Sequence, residues 1–387
     1  MLKNFKCIIC YSRGCPKSPK YRFNIHSVGA GLKPAPTRGK IGYLSIHVPE
    51  EIILGAGRLP YRLLGRGKPV KRASAYLPKT FDPSVLDSLE GAIEGEYSFL
   101  EGVIVANVSD AHRRLYDAWR VAWATPDRGE PKKVFFLDVP KGADALRVRA
   151  FPLALSALMR EMEVALDVRI SPEGLREAIG LCNETRILLQ RLARLRRQKK
   201  PPLSGHDFFD VVSWAQRNDK SYVNQRLRLI LQELETARCN GAVGPRLMLT
   251  GSPLGSPGLI SLIERLGAQV VCEDLCTGMQ YFSDLVEEDS PEPLNALARR
   301  YLDIPTARMA DTRARWGYLH KLAEEYDVTG VIYFTLKFDD IYLFEYPFIR
   351  NKFQKAGYPV LLIEAENFLT NVGQIETRVQ AFTEMLG

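Results

Sequence analysis

The sequence predicts an α/β protein built as two parallel-sheet lobes with a helical insert between them, on three observations. Short apolar runs ending in polar residues, Gly102-Val-Ile-Val-Ala-Asn and Lys133-Val-Phe-Phe-Leu-Asp, have the length and composition of buried parallel strands. From Ser171 a long stretch keeps helical spacing without a convincing strand. After Gly241 the strand–helix alternation returns. Helices between successive strands imply right-handed βαβ units and parallel sheets.

The elements follow in order. Residues 1–40 show neither periodicity, and Gly29-Ala-Gly and Pro34-Ala-Pro read as linker, so this segment is expected to be a basic, disordered leader. Residues 41–170 form the first lobe, with the segment Ala111–Trp123 as a crossover helix that places Leu115, Ala118 and Ala122 on one face. Residues 171–240 are the helical region. Ser171-Pro172-Glu173 starts it with a capping hydroxyl, a proline in the first turn and an acid beside the helix dipole. Pro201-Pro202 breaks this helix, and a second helical stretch runs from about His206 to Arg238. Residues 241–387 form the second lobe, with strands at Arg246-Leu-Met-Leu-Thr, Ala268-Gln-Val-Val-Cys, Gly330-Val-Ile-Tyr-Phe-Thr-Leu and Pro359-Val-Leu-Leu-Ile-Glu.

Charge narrows the partners. The net charge of +8 comes from residues 1–40, which hold nine Lys or Arg and no acid. Removing those nine from the 53 basic residues leaves 44 against 45 acids, so the body argues for no nucleic-acid partner. No apolar run approaches the ~20 residues that cross a bilayer, so no membrane partner is expected. Seven cysteines scattered over the chain suggest reduced thiols and a cytoplasmic location.

Ligands of open α/β sheets bind beyond the carboxyl ends of the strands. The polar residues there are Ser109, Asp110, Asp138, Ser252, Asp274, Asp339, Asp340, Glu364 and Glu366. Glu51, Asp110 and Asp340 are candidates for acid–base work, the latter with Asp339 and the former with Glu50 as adjacent carboxylates. The turn Gly251-Ser-Pro-Leu-Gly has neither a G-x-G-x-x-G nor a Walker lysine; it is read as a tight turn, with an anion contact through Gly251 and Ser252 as the alternative. Cys276 is expected to line the cleft and Cys272 to fill core. Cys7-Ile-Ile-Cys10 with Cys15 has metal-like spacing, but no second pair completes a site, so no metal is expected. His112 is read first as a solvent-exposed helix-start residue, and the basic run from Arg191 to Lys200 as a solvated helix end, with a meeting point for coenzyme A phosphates as its alternative.

From about Gly42 to Leu386 the chain resembles the 2-hydroxyacyl-CoA dehydratase superfamily, which includes benzoyl-CoA reductase subunits. The segment Pro49-Glu-Glu-Ile-Ile-Leu-Gly-Ala-Gly-Arg-Leu-Pro60 resembles the family's opening motif. Asp274-Leu-Cys-Thr-Gly278, Ala298-Arg-Arg-Tyr-Leu302, Gly330-Val-Ile, Lys337-Phe338 and Gly373-Gln-Ile-Glu-Thr-Arg378 resemble its second half. The resemblance implies two Rossmann-like lobes and a helical region. It also implies a [4Fe-4S] cluster held by three cysteines at strand ends, yet Asp82, Ser109 and Asp339 stand in those three places. Gln280 stands where the family has an arginine. Iron–sulfur clusters want thiolates, so no cofactor is expected in this chain, and the cluster is expected in a partner subunit.

The resemblance therefore implies a cluster-free subunit or paralogue, paired with a homologous cluster-bearing chain or with itself, and contributing acyl-CoA binding or a subunit interface. An ATP-dependent activator would serve the complex by the same analogy. The alternatives are a non-redox acyl-CoA enzyme using cleft carboxylates and a non-catalytic scaffold or regulator.

Overall fold

A computed structural model describes residues 38–124, 132–236, 244–308, 311–366 and 372–387. The leader expected over residues 1–40, with Cys7, Cys10 and Cys15, lies almost wholly outside the described residues, as does Cys239. Two four-stranded sheets, every pairing parallel, form the frame. The first contains β1 (Lys40–Tyr43), β2 (Leu59–Arg62), β3 (Leu100–Ala106) and β4 (Lys133–Leu137) in the order β2-β1-β3-β4. The second contains β5 (Arg246–Gly251), β6 (Gln269–Asp274), β7 (Gly330–Leu336) and β8 (Val360–Ala365) in the order β6-β5-β7-β8. Each order reverses between its first and third strands, and such a switch point opens a crevice at the strands' carboxyl ends.

The apolar runs at β3 and β7 are buried nearly throughout, as interior strands flanked by helices must be. Two strands escaped the sequence reading. Each has only four residues, and β2 contains Pro60, which is tolerated because β2 is an edge strand. Helical character also begins earlier than Ser171: α4 (Ala145–Leu166) carries Pro152 inside it, and packs on β4 and α9 (Pro293–Leu302).

The helices that frame the cleft are α2 (Pro83–Ile93), α3 (Asp110–Trp123) and α11 (Asp340–Lys355), while α1 (Glu50–Gly55) packs away from it against the helical region. Between the sheets lie α5 (Pro172–Leu195), α6 (Gly205–Ala215) and α7 (Lys220–Thr236), with α5 packed on α1 and α7. The run at the end of α5 is solvated only in part. Arg197, Lys199 and Lys200 are exposed, but Arg196 is fully buried, donating to Glu273 Oε2 at 2.7 Å and to the Val270 carbonyl at 2.5 Å. Arg196 thus pins the helical region to β6.

A second buried network joins all three parts. Arg186 of α5 donates to Glu51 of α1 at 2.6 Å and to Tyr301 of α9 at 3.1 Å. Lys220 of α7 stands 2.9 Å from Glu50 and donates to Tyr281 at 2.8 Å, and Tyr281 donates to Glu50 at 2.5 Å. Burial alone would push the Glu50 carboxyl up, but Lys220 and Arg186 outweigh it and hold Glu50 below its ordinary range.

Candidate functional site

A cavity of about 610 Å³ lies where the carboxyl ends of the two sheets face each other. Lobe one supplies the turns after β1, β2 and β3 and the start of α2; lobe two supplies those after β5, β6 and β7. The lobes touch backbone to backbone at one point, since a Cβ on Gly255 would fall 2.5 Å from the Gly65 carbonyl oxygen. That contact explains Gly255 in the turn read above as tight. Gly251 is equally constrained: its φ is 119°, and a Cβ would meet the Phe334 carbonyl at 1.9 Å.

One side of the cavity carries carboxyls. Asp82 caps α2, accepting from the Ser84 backbone N–H and hydroxyl at 2.8 Å each. Asp339 follows Phe338, whose φ of 66° is unusual for an aromatic residue, and is buried at the entry to α11. Its Oδ2 accepts from the Ser252 hydroxyl at 2.7 Å, and that hydroxyl accepts from the Leu336 N–H at 3.1 Å. Ser252 itself is fully buried and acts on the cavity only through Asp339. Burial, then the nearby Asp82 carboxylate, push Asp339 well above the usual carboxylate range, and burial raises Asp82 as well. The pair resists carrying two negative charges, so Asp339 is suited to hold a proton.

The other side carries cations and neutral imidazoles. Ser109 caps α3, accepting from the His112 N–H at 3.2 Å, with its hydroxyl 2.9 Å from His112 Nδ1. His112 is not the solvent-exposed residue expected: it is partly buried, lines the cavity, and is pushed down to about 4 by burial, Arg62 and Arg308. His47 donates from Nδ1 to the Tyr301 carbonyl at 2.9 Å and is pushed down to about 3, chiefly by burial. Both rings are therefore neutral at pH 7. Arg308 donates to the carbonyls of Asn107, Val108 and Val139 at 2.7 to 2.9 Å, and burial lowers it to about 10. Between the two sides, Cys276 lies 3.8 Å from Arg62 Nη2; burial outweighs Arg62 and pushes its thiol up to about 11.

The sequence candidates divide. Asp110 and Asp340, the first residues of α3 and α11, line the cavity, as does Cys276; Glu366 stands at its rim. Glu51 does not; it is buried against Arg186 and accepts from Tyr301 at 2.7 Å. Asp274 is buried in an ion pair with Arg315, also accepting from Gln280 at 2.9 Å and Thr250 at 2.8 Å. Cys272 is fully buried in β6. Residues that sequence reasoning passed over are Arg62, His47 and Arg308. Arg62 was within reach, because it ends a strand two residues past the recognised opening motif.

Asp82, Ser109 and Asp339, far apart in sequence, line one cavity. Their donor set does not fit a [4Fe-4S] cluster: all three offer oxygen, and the nearby Cys276 holds its proton at neutral pH. Among the described residues no group of three or more His, Cys, Asp or Glu is arranged to hold a metal ion. No helix among them is long and apolar enough to cross a membrane.

The fold and cavity define a two-lobed α/β protein with a cleft between two parallel sheets. The chain belongs to the family of the 2-hydroxyglutaryl-CoA dehydratase D-component, whose model matches residues 45–386. Relatives include the (R)-phenyllactyl-CoA dehydratase beta subunit of Clostridium sporogenes, 24% identical over 89% of this chain and 91% of that one. The putative dehydratase subunit YjiM of Escherichia coli K12 is 28% identical over 89% of this chain and 91% of its own length. A benzoyl-CoA reductase subunit of Thauera aromatica is 24% identical over 90% of both chains.

Proposed function

We propose that this chain is a cluster-free subunit, or paralogue of a subunit, in a complex of the 2-hydroxyacyl-CoA dehydratase or benzoyl-CoA reductase type, and that its cavity contributes acyl-CoA binding. The observation that carries this is the convergence of Asp82, Ser109 and Asp339 on one cavity in a family whose resemblance implies thiolates there. The relatives' names as subunits support a partner chain, which would be a homologue that keeps its cysteines, served by an ATP-dependent activator. This chain would bind and orient; it would not carry the electron.

A second reading is favoured by one observation. Asp339 is a buried carboxyl with a raised pKa, and such an acid can donate a proton at neutral pH. Under this reading the chain performs non-redox acid–base chemistry on an acyl-CoA, with Asp339 as proton donor and Asp110 or Asp340 as a second carboxyl at the cavity.

Anaerobic purification with iron and sulfide analysis tests the first proposal. The isolated chain should carry only trace iron, while a complex with a co-expressed homologue should carry iron assignable to that homologue. About four irons per chain in the isolated protein would overturn it. Turnover of an acyl-CoA by the isolated, iron-free chain would favour the second reading.

A further inference from the structure

Helix α4, 22 residues long, buries one face and leaves the opposite one bare. Phe151, Leu155, Leu158 and Met162 are buried, and the helix packs on β4 and α9. On the far side Leu146, Leu153 and Val164 are 75%, 72% and 86% exposed, and Ala150 and Ala157 between them are exposed too. The outer face of such a helix is normally polar, whereas this one carries an apolar stripe. Its spacing is regular. Leu146, Ala150, Leu153, Ala157, Arg160 and Val164 advance by four and three residues in turn, the a/d spacing of a coiled-coil seam, over about 27 Å. Charge flanks the stripe unequally along its length. Arg147 and Arg149 stand on either side of it near the start of the helix, and Glu161 and Glu163 on either side near the end. Both arginines and Glu161 are exposed; Glu163 is half-buried, with its Oε1 accepting from the Ile170 N–H at 2.8 Å.

We propose that the outer face of α4 is a self-association surface, on which a second copy of this chain packs its own α4 antiparallel about a two-fold axis level with Leu155. In that register Leu146 meets Val164 of the second copy, Leu153 meets Ala157, and Ala150 meets Arg160. The alanines give the opposing side chains room, and Ala150 lets the Arg160 stem lie along the seam with its head in water. Across one flank Arg147 meets Glu161, and across the other Arg149 meets Glu163. A parallel pair would instead gather the arginines at one end and the glutamates at the other. A helix complementary in size and charge to its own reverse is what a two-fold contact requires, and this selects a second copy as the occupant. No residue of α4 lines the cavity, so the inference does not rest on the acyl-CoA reading, and its failure would leave that reading intact.

Sedimentation equilibrium of the full chain from about 1 to 100 μM tests it. The wild-type mass should approach twice the 43.6 kDa of one chain. L153E puts a charge at the centre of the seam, on a residue 72% exposed in the single chain. It should raise the dissociation constant by about a hundredfold or more and leave the far-UV circular dichroism spectrum unchanged. R147E and E161R should each weaken the dimer about tenfold, and their equimolar mixture should form a heterodimer as tight as wild type, because each new charge then meets its opposite. Damage to folding could not produce that recovery. A chain that stays monomeric over this range, or a dimer that L153E leaves intact, would overturn the proposal. Failure of the mixture to recover would overturn the antiparallel pairing. A chain that is monomeric alone, yet loses a co-expressed homologue through L153E, would assign the face to that homologue and refute the self-pairing.

Discussion

Replacing Arg186 with Met tests whether the buried network at Glu50 and Glu51 holds the lobes to the helical region. Arg186 is fully buried, and its Nη2 reaches Glu51 at 2.6 Å and Tyr301 at 3.1 Å, while Nη1 donates to Asn183 at 3.1 Å. Without it, Glu51 loses its ion pair, and Lys220, 2.9 Å from Glu50, is the remaining ion-pair partner of the two glutamates among the described residues. Removing one partner of a buried pair costs about 3–5 kcal/mol, against a total stability of about 5–15 kcal/mol. At roughly 2 °C per kcal/mol for a chain of this size, the midpoint should fall by roughly 6–10 °C in differential scanning calorimetry. R186M/E51Q removes both charges, keeps a hydrogen-bond acceptor for Tyr301, and should recover at least half of the loss. The wild-type contribution of Glu50 has a defined pH window. Its carboxyl is held low, so that stability is complete above the unfolded pKa of about 4.3 and is lost as pH falls through the lower folded value. A midpoint for R186M within about 1 °C of wild type, or a double variant worse than the single, would refute the account of Arg186 as the counter-charge for Glu51.

Three further outcomes follow from the cavity. Asp339 has a raised folded pKa, so ionising it costs stability as pH climbs from its unfolded value of about 3.9 toward the folded one; D339N should melt above wild type near pH 8, with the gap closing toward pH 4, and a gap constant with pH would contradict the assignment. G255V places a side chain 2.5 Å from the Gly65 carbonyl, so the lobes must part; we expect a loss of about 1–3 kcal/mol in urea unfolding and weaker ligand binding, and an unchanged melt would show that the contact yields easily. Cys276, with its thiol pushed up to about 11, should react with iodoacetamide at pH 8 far more slowly in the native chain than in urea, as followed by peptide mass analysis.

How much was legible depended on whether one physical signal dominated. Strands β3, β5, β6 and β7 stood out because burial on both faces demands continuous apolar runs, and the partly exposed edge strands β4 and β8 keep apolar runs of their own. The first two strands did not, being four residues each and, in β2, interrupted by a proline that only an edge position permits. At the site, strand-end position alone pointed to Ser109, Asp110, Asp339 and Asp340 around one cleft, and the cavity gathers them. Burial was not legible. Arg196 sits within a run of exposed cations and looks like them, yet tertiary packing puts it under β6. His112 begins a helix, where solvent is the usual neighbour, yet it faces the cavity between the lobes. Such differences are set by what packs on top, which local pattern does not encode.

The oxygen side chains and Arg62 bear on each other through charge. Thiolates at the positions of Asp82, Ser109 and Asp339 would place fixed negative charge around the cavity, on the carboxyl side and also beside His112. Here Ser109 is neutral, and Asp82 and Asp339 resist ionising together, so these three positions carry less negative charge than three thiolates would. The side that holds Arg62 and Arg308 keeps its positive charge, since guanidinium groups hold their protons, and Arg62 Nε and Nη1 have no hydrogen-bond partner among the described residues. Oxygen in place of sulfur at these positions therefore changes the charge of the cavity as well as its preference for metals, and iron and sulfide analysis of the isolated chain reads that preference directly.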